Sequence, residues 1–468
     1  MWKCVISRRR LRESFLTRDR DLTDLACRRR ILVHCLFNRY ARLNILLEYW
    51  KKFFSRFYSH KIVLVKCSEV FERMLSKEWN GNKKEIQLKE DAGCSRVFSA
   101  FLRFLYCNHI VLHQENALPV LTLADKYNVT SLRKVALDYA VTHIIPQLQL
   151  KEIFHSWFQY GTKCFHQLLA SHCVEILASS FQDIISCPEW EKEWLSLDRE
   201  QLAEFLKSSD LVVVSEYELW LAVFRWLQHS AHLDRRGANT MEKNLIYILP
   251  LIRFPMMTAD ELCQVEKCPI VEQYPKLFQP FLYTAYKFRS LPLSSRMNCR
   301  EFTGSQFLLR NYSGLRWDKR LVIQDFSSIA RYTEISLKVR PFLRDEDVRY
   351  AARFAQINTC GSTIPPQPWD WELKLHPKGF SGNCDEFRCF LVSNVILDQT
   401  RAVEYLLSIV DDKKVLRSVT GKKVFSKSRY GSDLEMEKKV SLDEIFMENS
   451  PLLINDSMIL QFTLRPIE

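Results

Sequence analysis

The chain is poor in the features that carry chemistry. Its 468 residues include eleven glycines and eleven histidines, too dispersed to form a Gly-rich phosphate loop or a metal-binding tract. There is no G-x-S-x-G elbow, no P-loop, no G-x-G-x-x-G and no H-E-x-x-H, and no Ser/His/Asp grouping stands out. No catalytic residue and no cofactor is therefore expected. Nor does any segment approach the ~20 apolar residues that a membrane-spanning helix requires, so no membrane span is expected. The fifteen cysteines contain no C-x-x-C pair. The closest spacings, Cys263 with Cys268 and Cys384 with Cys389, the latter preceded by His376, lack a second matching pair to close a tetrahedral zinc site. No metal is expected. These thiols read as small buried hydrophobes, or as disulfide partners if the protein is exported.

What is present is an ordinary globular composition, 47% apolar, long enough for two to four domains. The net charge of +12 suggests an anionic partner until it is located. Residues 1–57 hold fifteen Lys and Arg against five acids, so the remaining 411 residues carry only +2. The basic tail reads as a solvated extension without a confident domain. It lacks the interleaved aromatics of a nucleic-acid stacking platform, and nucleic-acid binding is not expected. After Arg28-Arg29-Arg30 the apolar run is interrupted by His34 and again by Asn38-Arg39, so no signal peptide is recognisable. Three sequons, at Asn128, Asn311 and Asn455, permit glycosylation only if the chain is exported, in which case Asn311, in a polar turn-like stretch, is expected to carry a glycan.

From His60 to Leu75 apolar residues recur at helical spacing, Glu85-Ile86-Gln87-Leu88 alternates like a short strand, and Phe98–Tyr106, Leu118–Tyr127 and Ser131–His143 are helical again. Residues 58–143, above all Phe104-Leu105-Tyr106 and Leu123-Ala124-Asp125-Lys126-Tyr127-Asn128-Val129, resemble the BTB/POZ fold. That resemblance implies homo-oligomerisation and, in many members, recruitment of cullin-3 through a hydrophobic-x-Glu element. Two departures stand against it. No Asp-Val-x-Leu strand is recognisable upstream, so the N-terminal hairpin is expected to be missing. Gly81, after Trp79-Asn80, occupies the position of the acid, which disfavours cullin-3.

Residues 144–270 read as all-helical. Ser208–Glu216, followed at helical spacing by Leu219, Trp220, Val223, Phe224, Trp226 and Leu227, resembles the signature of a BACK domain, as does Arg253-Phe254-Pro255. Trp220 and Trp226 are expected in the core, Asp210 and Glu216 in caps or ion pairs, and Thr258 as an N-cap. Residues 271–324 are expected to be a linker. From residue 325 alternating segments, Tyr332–Arg340, Trp371–Leu375, Phe387–Val392, Val403–Val410, Leu452–Ile454 and Met458–Leu464, suggest an antiparallel β-sandwich. Trp371 to Phe380 and Asn455-Asp456-Ser457 resemble a TRAF-like (MATH) domain. The expected fold class is multidomain α+β, with a BTB/POZ domain, an all-α BACK domain and a TRAF-like sandwich. The order of these domains resembles a family of secreted scaffolds. The expected function is non-enzymatic protein–protein interaction, with a protein partner whose identity the sequence does not give; an intracellular cullin-3 adaptor is the alternative.

Overall fold

The computed structural model describes residues 42–49, 53–80, 85–229, 239–314, 318–339, 371–380, 385–393, 401–425, 431–433, 440–447 and 450–467. The chain divides into two compact units, Met1–Cys173 and Val174–Glu468.

In the first unit, β1 (Arg42–Tyr49) pairs antiparallel with β2 (Phe53–His60), from Arg42↔His60 to Tyr49↔Phe53, and parallel with β3 (Glu85–Lys89). The hairpin expected to be missing is thus present. It escapes notice because Leu46 fills a gap in the alternation of Leu43, Ile45 and Leu47, so the segment reads as a continuous apolar run. Its connection, Trp50-Lys51-Lys52, also has none of the Gly, Asn or Asp that mark a tight hairpin turn. Leu43, Ile45 and Leu47 are the buried face of β1. Ser68 caps the helix Glu69–Met74: its hydroxyl accepts from Phe71 N (3.0 Å) and donates to the Tyr127 carbonyl (2.5 Å). The Phe71 and Tyr127 rings then stack at 4.5 Å, with Phe98 and Phe101 against Tyr127, and the phenol donates to Glu90 Oε1 at 2.5 Å.

The second unit begins with helices whose starts are specified by caps. Asp198 and Gln201 form a capping box before the helix Arg199–Lys207, Ser215 accepts from Glu218 N at the head of Glu216–Gln228, and Thr258 and Glu261 form a box before Ala259–Glu266. Trp220 and Trp226 are fully buried, and the indoles of Trp194 and Trp226 donate to the carbonyls of Ala222 and Leu197, each at 2.9 Å. Of residues 271–324, expected as a linker, 271–314 and 318–324 are folded. The helix Pro275–Ser290 buries Phe278, Leu282 and Ala285. The helix Leu293–Met297 lies on two strands of the following sheet, β10 (Arg401–Val410) and β11 (Val415–Phe425). Arg296 closes the longer helix, donating through Nε to the Leu291 carbonyl (3.2 Å) and through a terminal nitrogen to that of Arg289 (3.1 Å), with its guanidinium over Phe288.

Two four-stranded antiparallel sheets follow. One has the order β11-β10-β13-β6, with β6 at Asp318–Ile323 and β13 at Met458–Ile467; the other is β12-β9-β8-β7, with β7 at Ile335–Val339, β8 at Trp371–His376, β9 at Arg388–Ser393 and β12 at Gly431–Asp433. Leu373, Leu375, Cys389 and Leu391 of one sheet share a core with Val403, Tyr405, Leu407, Ile409, Leu460, Phe462 and Leu464 of the other, which is the arrangement of a β-sandwich. At Gly421 a Cβ would meet the Tyr405 hydroxyl at 2.6 Å, so the ring lies across β11 only because that position is bare. The expected strand at Leu452–Ile454 does not form. Leu452 is a buried plug and Ile454 makes only an isolated bridge to Ser457.

Candidate functional site

Among the described residues, each unit has a carboxylate on which donors from three different residues converge. In the first, Asp125 sits in the last turn of the helix Gln114–Lys126. Its Oδ1 accepts from Arg133 Nε (2.6 Å), its Oδ2 accepts from the Tyr160 hydroxyl (2.5 Å), and His166 Nε2 lies 2.6 Å from Oδ2. Burial first, then the bond to Asp125 and its charge, push the Tyr160 phenol well above its ordinary value, so it remains a donor. Asn128 turns the chain beside this hub with φ 47°, its amide oxygen accepting from Arg133 at 2.9 Å. The hub therefore fastens the segment 160–166 to the end of the preceding helix.

In the second unit the carboxylate is Glu216, with no exposure at all. Oε1 accepts from the Arg253 backbone N–H (2.8 Å); Oε2 accepts from Arg310 Nε (3.1 Å) and the Tyr312 hydroxyl (2.6 Å). Arg310 also donates to the carbonyls of Leu206 (2.9 Å), Leu251 (3.0 Å) and Ser208. Arg253 reaches the Leu308 carbonyl (3.0 Å) and the Ser209 hydroxyl (2.9 Å). Burial alone would raise the Glu216 carboxyl, but Arg310, Arg253 and the Tyr312 hydroxyl outweigh it and hold the group below its usual range. Burial and the neighbouring Arg310 push the Arg253 guanidinium down to about 9.

This cluster has no access for a substrate. It is a clamp that draws 206–216, 251–253 and 308–312 together. Beyond it, β5 (Asn311–Tyr312) pairs parallel with β4 (Val212–Val213), Arg320 pairs with Asp210 at 2.9 Å, and Gln461 of β13 accepts from Leu309 N. The sandwich and the helices before it are thus joined by polar bonds, of which that between Leu309 and Gln461 is buried. Asp210 and Glu216 both pair, as the sequence suggests. Arg310 and Tyr312 carry no sequence signal of this role; Arg310 simply ends the apolar run Phe307-Leu308-Leu309.

Of the sequon residues, Asn128 and Asn311 are half-buried, with Asn311 Nδ2 donating to the Asp210 carbonyl (3.0 Å), whereas Asn455 is exposed at φ 48°. Gly81 and Cys384 lie outside the described residues. Cys263 is exposed, Cys268 leans on the Gln264 carbonyl, and Cys389 belongs to the sandwich core with His376 buried nearby. Among the described residues no group of three or more His, Cys, Asp or Glu could hold a metal ion, and no helix is long and apolar enough to cross a membrane. A cleft of about 520 Å³ lies beside the caps of two helices, where Glu218, Glu261 and Asp318 face Arg289 and Arg465. Its charges are mixed, and Glu261 is occupied by the Thr258 N–H at 2.7 Å. Large apolar side chains stand exposed in the first unit: Phe165 at 92%, Trp79 at 83%, Leu168 at 75% and Tyr58 at 70%.

Comparison with known proteins places these features. Residues 47–144 match the BTB/POZ domain family, so the match begins inside β1, upstream of residue 58, and residues 155–267 match the family described as BTB And C-terminal Kelch. BTB/POZ domain-containing protein 17 of Xenopus laevis is 29% identical over 269 residues, 57% of this chain and 53% of that protein. The Homo sapiens protein of the same name is 28% identical over 290 residues, 61% and 56% respectively. Galectin-3-binding protein of Rattus norvegicus is 24% identical over 256 residues, 53% and 42%. The chain spans about half the length of the curated relatives it matches.

Proposed function

Because the chain is a BTB and BACK domain protein related to BTB/POZ domain-containing protein 17 and galectin-3-binding protein homologues, we propose that it is a non-enzymatic scaffold for protein–protein interaction. In this reading the BTB domain multimerises and the TRAF-like sandwich presents a partner-binding face outside the cell. The observation that carries it is the Glu216 clamp, which commits the buried charges of Glu216, Arg253 and Arg310 to holding helices and sandwich together rather than to a reacting group. Light scattering of the purified chain tests it. A dimer or larger assembly is expected, and a monomer at about 100 µM, some tenfold or more above a micromolar Kd, would overturn it.

The extracellular part of the proposal expects a glycan at Asn455, the exposed acceptor among the three sequons. Intact mass before and after glycosidase treatment, on protein secreted behind an added signal peptide, reads this directly; an unmodified Asn455 counts against secretion. One observation favours the intracellular rival. Trp79 stands 83% exposed on the short helix Lys77–Asn80, beside the place where the family resemblance puts the cullin-3 element. Failure of cullin-3 to co-purify with folded chain removes that rival.

A further inference from the structure

Among the described residues, left-handed backbone is concentrated at one end of the sandwich. Of the seven non-glycine residues with positive φ among the described residues, Asp325, Tyr332, Asn455 and Asp456 lie there, together with Gly379 at φ 94°. They are held in one place by named bonds. The Asp456 carbonyl accepts from Phe326 N (2.8 Å), and its carboxylate accepts from the Ser327 N–H (3.0 Å) and hydroxyl (2.6 Å). Lys378, buried, donates to the Ser327 carbonyl at 2.9 Å and places its ammonium 5.2 Å from the Phe446 ring centroid and 6.0 Å from that of Phe326. Tyr332 N lies 3.5 Å from the Lys378 carbonyl. One lysine therefore binds three loops into a single surface.

That surface is apolar where it meets solvent. Tyr332 is 47% exposed, Phe380 46%, Phe446 45% and Met447 65%. A tyrosine at φ 64° is a genuine outlier, which the surrounding structure has to hold in place. Glycine would fit without that strain, and a half-exposed ring offsets little of it through burial. Strain retained for an exposed aromatic side chain is the mark of a residue kept for contact with something else.

The charges choose the occupant. Arg331 is taken by Asp385 at 3.5 Å, and Lys378 points inward onto its two rings. Asp325 and Asp443 are exposed; Asp443 lies in the short helix Leu442–Ile445, and Phe446 and Met447 follow directly at its C-terminal end. The rim is therefore acidic around an apolar centre.

We propose that this end of the sandwich docks an extended segment of a partner protein carrying a large aliphatic or aromatic anchor flanked by lysine or arginine. The proposal rests on the scaffold reading above and gives its partner a chemistry. It is tested with the full chain against a fluorescent peptide array in which a varied apolar anchor is flanked by lysines, by glutamates, or replaced by serine between lysines. Saturable binding by lysine-flanked apolar peptides alone is expected. Tyr332→Gly should weaken it about tenfold or more, as loss of an aromatic anchor does, while thermal stability holds or rises because the left-handed strain is relieved. Asp443→Lys should shift preference toward the glutamate-flanked set. Failure of every lysine-flanked peptide to bind, binding unchanged by Tyr332→Gly, or a drop in melting temperature with Tyr332→Gly overturns the proposal. So does a change of oligomeric state with Tyr332→Gly, which would make the surface a contact between copies. Light scattering of the same samples separates this from the scaffold reading, which fails only if the wild-type chain is monomeric.

Discussion

Asp125 and Glu216 perform the same task in different surroundings. Each collects three donors from two separate segments, and each joins a domain to the chain that follows it. The Asp125 side chain retains 18% of its exposure and its partners Arg133 and His166 retain 30% and 12%, whereas Glu216 and Arg310 retain none. Water still solvates the first hub, so losing it exchanges protein bonds for bonds to solvent. The second is dry, and any unpaired charge left there has nothing to turn to. Burial, more than the number of bonds, sets how much each hub matters.

Removing the charge at the dry hub should have the largest effect. Glu216→Gln leaves Arg310 and Arg253 uncompensated and is expected to cost roughly 3–5 kcal/mol, read as a lowered urea midpoint for the unit from Val174 onward. A midpoint within experimental error of wild type would show that the clamp is dispensable. The same group makes stability depend on pH in a defined direction. Its folded pKa lies below the unfolded value of about 4.3, so the stabilisation is fully present above that value and is lost as pH falls through the folded pKa. An acid limb of the stability profile below about pH 4 should therefore flatten in Glu216→Gln. At the half-wet hub Asp125→Asn is expected to cost about 1.5–3 kcal/mol, the range for hydrogen bonds to a charged group, in the unit ending at Cys173. A loss equal to that of Glu216→Gln would mean that residual solvent is not what separates the two hubs. The smallest change is expected at Asp210, whose side chain is 54% exposed in its pair with Arg320. Asp210→Asn should cost under about 1 kcal/mol, and a larger loss would break the ordering by exposure.

Much of the architecture is legible in the sequence because local patterns decide it. The helical spacing from Leu219 to Leu227 places Trp220 and Trp226 in the core, Thr258 announces a cap, and the alternation in Trp371–Leu375 and Met458–Leu464 marks strands. Other features fail to show for physical reasons. β1 is a strand whose outward Leu46 breaks the period, and 271–324 lacks a capping signature strong enough to distinguish it from a linker. Arg310 and Tyr312 meet Glu216 across separations of 94 and 96 residues, which no window over the sequence detects. The left-handed φ of Tyr332 is likewise imposed by the loops around it, since nothing in Arg331-Tyr332-Thr333 asks for it.

The strand order of the first sandwich sheet has a consequence for biosynthesis. β13 follows the other three strands of its sheet in sequence, yet it lies between β10 and β6 and is bonded to both. While the ribosome is still adding residues, β6 and the β10–β11 hairpin wait with open edges for a partner not yet made, a non-local pairing of the slow, aggregation-exposed kind. A nonsense codon anywhere before residue 458 would leave that gap permanently, so the nascent protein is exposed to chaperones and quality control until β13 emerges.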